Sequence, residues 1–240
     1  MSVEIYSDKA ELAEAAARDF VAKASRAIEE RSRFTVVLAG GSTPKAAYAL
    51  LARDHVEEVD WGNVHVFFGD ERAVPPDHED SNYRMAHEAL LDHVSVASVH
   101  RMHGELPSEE AAKSYEEELR DFFGGEGIPS LDLVMLGIGG DGHTASLFPN
   151  TPALDVTDRW VVENPVEKLE TDRITLTAPV INAARAVNFL VSGEDKAEAL
   201  RGILEGGGDA HTYPAKLVRP AEGLTWMVDR EAARLLKTPG

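Results

Sequence analysis

Three short segments carry residues whose types and spacing can do chemistry. His143 stands in Leu136 to Pro149, LGIGGDGHTASLFP, behind Gly137, Gly139, Gly140 and Gly142 and two residues after Asp141. A histidine there is a candidate acid or base, because an imidazole's ordinary pKa, near 6.5, lets it take and return a proton around neutrality. The glycines remove side chains and admit positive φ, so backbone N–H groups can approach a ligand closely.

In GGSTP, Gly40 to Pro44, backbone amides, including that of Gly41, and the Ser42 and Thr43 hydroxyls stand at a helix start, whose positive end favours an anion. A simply capped turn would read the same way. The segment lacks the Gly-Lys-Ser/Thr of a P-loop and the full G-x-G-x-x-G of a dinucleotide fold, which counts against nucleotides. GDER, Gly69 to Arg72, offers Asp70 to orient a base or a hydroxyl and Arg72 to clamp a carboxylate or phosphate. The plainer alternative is a solvated charge cluster in a loop. Arg173 in DRITLT is a further cation, as is Lys196 in SGEDKAEAL. A lysine in the first turn of a helix opposes the macrodipole, so Lys196 is there either for an anion or as an ordinary surface lysine.

The elements that must position these residues follow from hydrophobic pattern. Mostly apolar runs at Phe34–Leu38, Val64–Phe68, Leu131–Leu136, Ala186–Val191 and Leu224–Val228, each with a single polar residue, predict strands buried on both faces, with shorter strands at Val3–Tyr6 and Val99–Arg101. Between them, helices are predicted after the Asp8 cap (Leu12, Ala16, Phe20, Ala24 and Ile28 on one face), from Pro44 to Leu51, and over Tyr83–Leu91, Ser108–Phe123, Ala178–Ala184 and Glu194–Leu204. Gly124 to Ser130 reads as a loop. The alternation predicts an α/β fold: a mostly parallel sheet with helices on both faces. All three motifs then follow strand ends, where open α/β sheets bind ligands. The turn-rich stretch beyond Pro149 predicts strands at Trp160–Glu163 and Arg173–Leu176. The reading is one α/β domain over 1–240, with 151–177 the place for a small irregular or β-rich subdomain or flap.

Composition narrows the function. The 240 residues carry 42 acidic and 24 basic side chains, for a formal charge of −18, which argues against nucleic acid or an anionic membrane as partner. Any anionic substrate must meet a local cationic pocket. An acidic surface for solubility explains the charge more simply than a salt-rich cytoplasm does. With no cysteine, disulfides, thiolate catalysis and Cys-zinc sites are excluded. His87 and His93 beside Glu88 are wrongly spaced for H-E-x-x-H, His100 and His103 make no better set, and no metal is expected. Ser146 is outside any G-x-S-x-G elbow, so a serine-nucleophile hydrolase is not indicated. The N-terminus has neither the basic region nor the apolar core of a signal peptide, and no run is long enough to span a membrane, so the expected location is cytoplasmic.

Taken together, LAGGSTP, FFGDERAVPPDHEDSNYRMAHEALL and LGIGGDGHTASLFP, with the later RITLTAPVINAA and VSGEDKAEAL, resemble the 6-phosphogluconolactonase family over nearly the whole chain. The wider group includes glucosamine-6-phosphate deaminases, whose histidine turn continues Ile-Ala-Phe-Asn-Glu-Pro and whose middle motif is Asp-Glu-Tyr. Here Thr144 to Pro149 and Asp70-Glu71-Arg72 depart from the deaminase in both places. The resemblance implies a Rossmann-like fold and hydrolysis of 6-phospho-D-glucono-1,5-lactone to 6-phosphogluconate in the oxidative pentose phosphate pathway. It implies no required metal or organic cofactor and no obligate protein partner. His143 is then expected to activate water, with Asp141 or Asp70 orienting the imidazole or a sugar hydroxyl. Gly41, Ser42, Thr43, Arg173 and Lys196 are expected on the phosphate, with Arg72 an additional substrate contact. Two alternatives stand beside this one: a deaminase-like sugar-phosphate isomerase and a non-catalytic sugar-phosphate sensor.

Overall fold

A strand covered on both faces needs no polar side, and FTVVL, LVML and VNFLV are buried at every residue. In the computed structural model, which describes residues 1–125 and 127–237, these segments form the middle of a sheet. In chain order the strands are β1 (Ser2–Tyr6), β2 (Phe34–Leu38), β3 (Val64–Phe68), β4 (Asp70–Arg72), β5 (Ser98–Val99), β6 (Leu133–Leu136), β7 (Val161–Val166), β8 (Thr171–Leu176), β9 (Val187–Val191) and β10 (Leu224–Asp229). The helices are α1 (Lys9–Arg31), α2 (Ser42–Asp54), α3 (Asn82–Ala86), α4 (Ser108–Phe123), α5 (Ala178–Asn182), α6 (Ala197–Leu204) and α7 (Arg230–Ala233). Seven strands in the order β1-β10-β9-β6-β2-β3-β5 make a wholly parallel sheet. The other three, in the order β4-β8-β7, make a small antiparallel one.

Alternate residues of the five inner strands of the large sheet enter two cores. Val37, Phe67, Val134, Phe189 and Trp226 pack with α4, α5, α6 and the small sheet, while Val36, Phe68, Met135, Leu190 and Met227 pack with α1 and α2. The helices therefore cover both faces, as the sequence predicts. Phe20 shows why α1 stays docked: fully buried, its ring meets Phe34 edge-on at 5.2 Å and contributes about 1.5–3 kcal/mol by burial. Asp8 caps α1, its side chain accepting from the Ala10 and Glu11 amides, and Ser32 ends it in the left-handed region at φ 58°.

Several boundaries differ from expectation. Helix α2 begins at Ser42, so Pro44 is its third residue. The helix expected over Tyr83–Leu91 is α3 followed by a wider π turn, His87–Leu91. Of the strand expected at Val99–Arg101, only Val99 lies within β5, which begins at Ser98 and pairs with β3. A 3-10 turn, Glu194–Lys196, precedes α6. The loop expected from Gly124 to Ser130 contains Glu126, which lies outside the described residues. GDER is not the solvated loop of the plainer alternative but a strand the sequence did not predict: Asp70–Arg72 is β4, paired antiparallel with β8. Gly69 is the crossing point between sheets, donating to the Leu38 carbonyl at 3.1 Å and accepting from the Leu176 amide at 2.9 Å. The segment after Pro149 is the β-rich one, its strands β7 and β8 lying close to the predicted positions. Pro165 is tolerated in β7 because that strand is an edge. No helix among the described residues is long and apolar enough to cross a membrane.

Candidate active site

The carboxyl ends of β2, β3, β6 and β9 open together into a cleft of about 490 Å³. Two buried tyrosines fix its floor. Tyr48 Oη accepts from the Ala39 amide at 2.9 Å and donates to the Ala39 carbonyl at 3.1 Å. Tyr115 Oη treats Phe68 in the same way, at 2.9 and 3.2 Å. Each hydroxyl thus satisfies both backbone groups where a strand stops pairing.

After β2 the chain turns through Gly40 and Gly41 into α2. A Cβ on Gly40 would lie 1.9 Å from Asn82 Oδ1, and Gly41 has φ +100°, so both positions require glycine. The turn delivers Ser42 and Thr43 to the first turn of α2, both lining the cleft. Lys9 Nζ donates to Ser42 Oγ at 3.0 Å, which brings a cation from α1 to the same loop.

Beyond Gly69, β4 presents Asp70 and Arg72. Asp70 accepts from Ser146 Oγ at 2.6 Å and from Asn82 Nδ2 at 3.1 Å. Glu71, on the opposite side of the strand, is buried and accepts from the Arg72, Asn82 and Tyr83 amides at 2.8 Å each and from Ser81 Oγ at 3.0 Å. Burial pushes its carboxyl up, against the pull of those amides, and the bonds lock the start of α3 onto β4. Arg72 is fixed by donation to the Asp80 carbonyl. Its direct cross-strand neighbour is Arg173 of β8, and both line the cleft. Like charges facing each other across a strand pair are unfavourable. Burial, then the Arg72 charge, lowers the Arg173 guanidinium, with Asp70, Asp80 and Glu71 opposing.

Beyond β6, Thr144 Oγ1 donates to the Gly137 carbonyl at 2.9 Å and the Gly139 amide to the His143 carbonyl at 2.9 Å. These bonds close a tight turn in which a Cβ on Gly139 would sit 2.1 Å from His143 Nδ1. His143 Nδ1 lies 2.6 Å from Asp141 Oδ1, and its ring stacks on Phe148 with centroids 4.2 Å apart. An ionised carboxylate only accepts, so Nδ1 carries a proton, and Nε2, which has no hydrogen-bond partner among the described residues, is the nitrogen left for water or substrate. Partial burial works against ionising Asp141, but hydrogen bonds from His143 and from Lys168 Nζ outweigh it and hold the carboxyl well below the usual carboxylate range. Lys168 comes from the turn between β7 and β8 and also lies 4.9 Å from the Phe148 centroid.

Lys196 enters from β9 as the last residue of the 3-10 turn, its Nζ 2.8 Å from Asp195 Oδ2. Gly41, Ser42, Thr43, Asp70, Arg72, His143, Arg173 and Lys196 all line one cleft, and Asp141 stands against His143. Of the two carboxylates considered for the imidazole, Asp141 is the one in contact. Asp70 is engaged with Ser146 and Asn82. Sequence reasoning missed Lys9, Asn82 and Lys168, and saw Ser146 only as an unsuited nucleophile. Asn82 was legible only as a helix start, and nothing local marks the other two. Among the described residues no group of three or more His, Asp and Glu could hold a metal ion.

The chain matches the family model of glucosamine-6-phosphate isomerases/6-phosphogluconolactonase over residues 7–227. It is 43% identical over 240 residues to the 6-phosphogluconolactonase of Synechocystis sp., covering 98% of each chain. Among solved structures, the 6-phosphogluconolactonase of Trypanosoma brucei superposes with TM-score 0.86 at 32% identity, with 98% of each chain covered. A monomeric glucosamine-6-phosphate deaminase superposes with TM-score 0.80 at 27% identity, covering 98% of this chain and all of that one.

Proposed function

The chain belongs to the glucosamine-6-phosphate isomerase/6-phosphogluconolactonase family, and from that premise we propose that it hydrolyses 6-phospho-D-glucono-1,5-lactone to 6-phosphogluconate. The observation that carries this reading is one cleft holding both a base whose Nε2 has no hydrogen-bond partner among the described residues and a facing pair of arginines whose repulsion a bound anion would relieve. The lactone carbonyl is already electrophilic, so no covalent nucleophile is needed. His143 Nε2 takes a proton from water as the oxygen attacks C1. It returns that proton to the ring oxygen as the C1–O bond breaks. Asp141 holds the imidazole in the required tautomer, and amides of the glycine turn other than those of Gly139 and Gly142, which bond within the turn, stabilise the oxyanion. Ser42, Thr43, Arg173 and Lys196 hold the phosphate with the Gly41 amide, Arg72 adds a second guanidinium, and Lys9 supports Ser42. Asp70, held by Ser146 and Asn82, is available to a sugar hydroxyl. Anchoring the phosphate turns binding energy into orientation of C1 against His143.

The direct test is lactone disappearance corrected for spontaneous hydrolysis. His143→Ala is expected to lower turnover by about 10²- to 10⁴-fold with the fold retained; near-wild-type turnover removes His143 from the chemistry. Lys196→Ala is expected to weaken 6-phosphogluconolactone more than unphosphorylated gluconolactone, and equal losses on both would remove Lys196 from the phosphate site. Ammonia released from glucosamine 6-phosphate, without lactone hydrolysis, would instead make the protein a deaminase. Binding of 6-phosphogluconate with no turnover would make it a sensor.

A further inference from the structure

The turn that carries His143 is held from behind by a side chain outside the cleft. Tyr213 lies in the segment between α6 and β10, its ring half-buried against three glycines. A Cβ on Gly142 would come within 2.6 Å of its Cδ1, one on Gly202 within 2.3 Å of its Cζ, and one on Gly208 within 3.0 Å of its Cδ2. Gly142 precedes His143, whereas Gly202 belongs to α6, the helix that starts directly after Lys196. The ring is therefore a spacer between the turn bearing the base and the helix behind the phosphate lysine. The backbone repeats the connection, since the Ala215 amide donates to the Gly142 carbonyl at 3.0 Å. The ring itself is steadied: Lys216 Nζ lies 5.7 Å from its centroid and donates to the Gly206 carbonyl at 2.7 Å. On the cleft side the two loops also run close together, since a Cβ on Gly140 would lie 3.5 Å from the Asp195 carbonyl oxygen. The Tyr213 hydroxyl makes no hydrogen bond among the described residues, so the ring supplies shape alone.

We propose that Tyr213 is a positioning residue that sets the placement of His143 relative to Lys196, wedged between Gly142 and Gly202. The inference rests on the lactonase reading for its kinetic consequence and on packing alone for its structural one. A misplacement of reacting groups by about 1 Å costs about 100-fold in rate. Tyr213→Ala is therefore expected to lower kcat on 6-phosphogluconolactone by about 10- to 100-fold. Affinity for 6-phosphogluconate should change little, because the phosphate ligands remain. Unphosphorylated gluconolactone, which has no anchor to misalign, should lose less. Tyr213→Phe keeps the ring and should restore wild-type kcat.

Hydrogen exchange at the Gly139 and Gly142 amides, which donate to His143 and Gly139 carbonyls, reads the wedge without any substrate and should quicken in Tyr213→Ala but not in Tyr213→Phe. Unchanged exchange with unchanged kcat overturns the proposal. So do equal losses on both lactones, as does failure of Tyr213→Phe to restore turnover. If Tyr213→Ala does not fold, Tyr213→Leu, which keeps bulk without a flat ring, takes its place with the same expectations. A wild-type protein inactive on both lactones, yet with faster exchange in the alanine variant, refutes the lactonase reading and leaves the wedge standing.

Discussion

Asp141 shares its two oxygens between His143 and Lys168, and that division sets a titration that can be followed. Burial acts to raise its pKa, and the imidazole and ammonium donors together lower it further than burial lifts it. A carboxyl depressed on folding contributes its stabilisation fully above the ordinary carboxylate range and loses it progressively as pH falls from that range to the depressed value, an interval through which the folded carboxyl itself stays ionised. The dyad should therefore stay intact across the ordinary carboxylate range. Lys168→Ala removes one of the lowering donors, so the Asp141 midpoint should rise and the dyad fail at a higher pH. A carbon-13 NMR titration of the carboxyl would show this, and an unmoved midpoint would mean Lys168 does not load Asp141. The sequence made one half of this arrangement legible and hid the other. Asp141 and His143 are two residues apart in a glycine turn, so their contact is local. Lys168 arrives through the β7–β8 hairpin folding over the cleft, a relation that no local pattern encodes.

Elements hold the cleft open through backbone groups that have no ladder partner. Tyr48 and Tyr115 each satisfy an N–H and a C=O at a strand end, and both are fully buried. Tyr48→Phe leaves the Ala39 pair without its donor and acceptor in a place water does not reach. The expected loss is about 1–3 kcal/mol, read as a lower urea midpoint at unchanged slope; a midpoint equal to wild type would show that Ala39 finds other partners. Tyr115→Phe should behave alike at Phe68. The central strands could be read from sequence because mostly apolar runs of that length have few other uses. GDER could not, because a three-residue strand made of charged side chains has no hydrophobic period. Its strand character comes wholly from pairing with β8, far along the chain. The same pairing is what sets Arg72 opposite Arg173, so the unpredicted strand and the least legible feature of the site have one cause.

At the scale of the whole molecule, a formal charge of −18 surrounds a cleft lined by Arg72, Arg173 and Lys196. These two fields should respond differently to ions. Repulsion among surface carboxylates is long-ranged and screened by any salt. Raising KCl from about 0.01 M to about 0.15 M, which shortens the Debye length from about 30 to about 8 Å, should therefore raise Tm. The cleft cations instead need an anion that fits between them. At equal ionic strength, 6-phosphogluconate should stabilise beyond KCl, by about 2.7 kcal/mol at a hundred times its Kd. Lys196→Ala should reduce this second increment while leaving the KCl response intact, because one charge in a surface of that size barely alters the general repulsion. Differential scanning calorimetry in matched KCl and 6-phosphogluconate series separates the two. If 6-phosphogluconate gave no more than KCl, the cleft would hold no anion site and the facing arginines would need another explanation. If Lys196→Ala changed both responses equally, its lysine would belong to the surface field and not to the cleft.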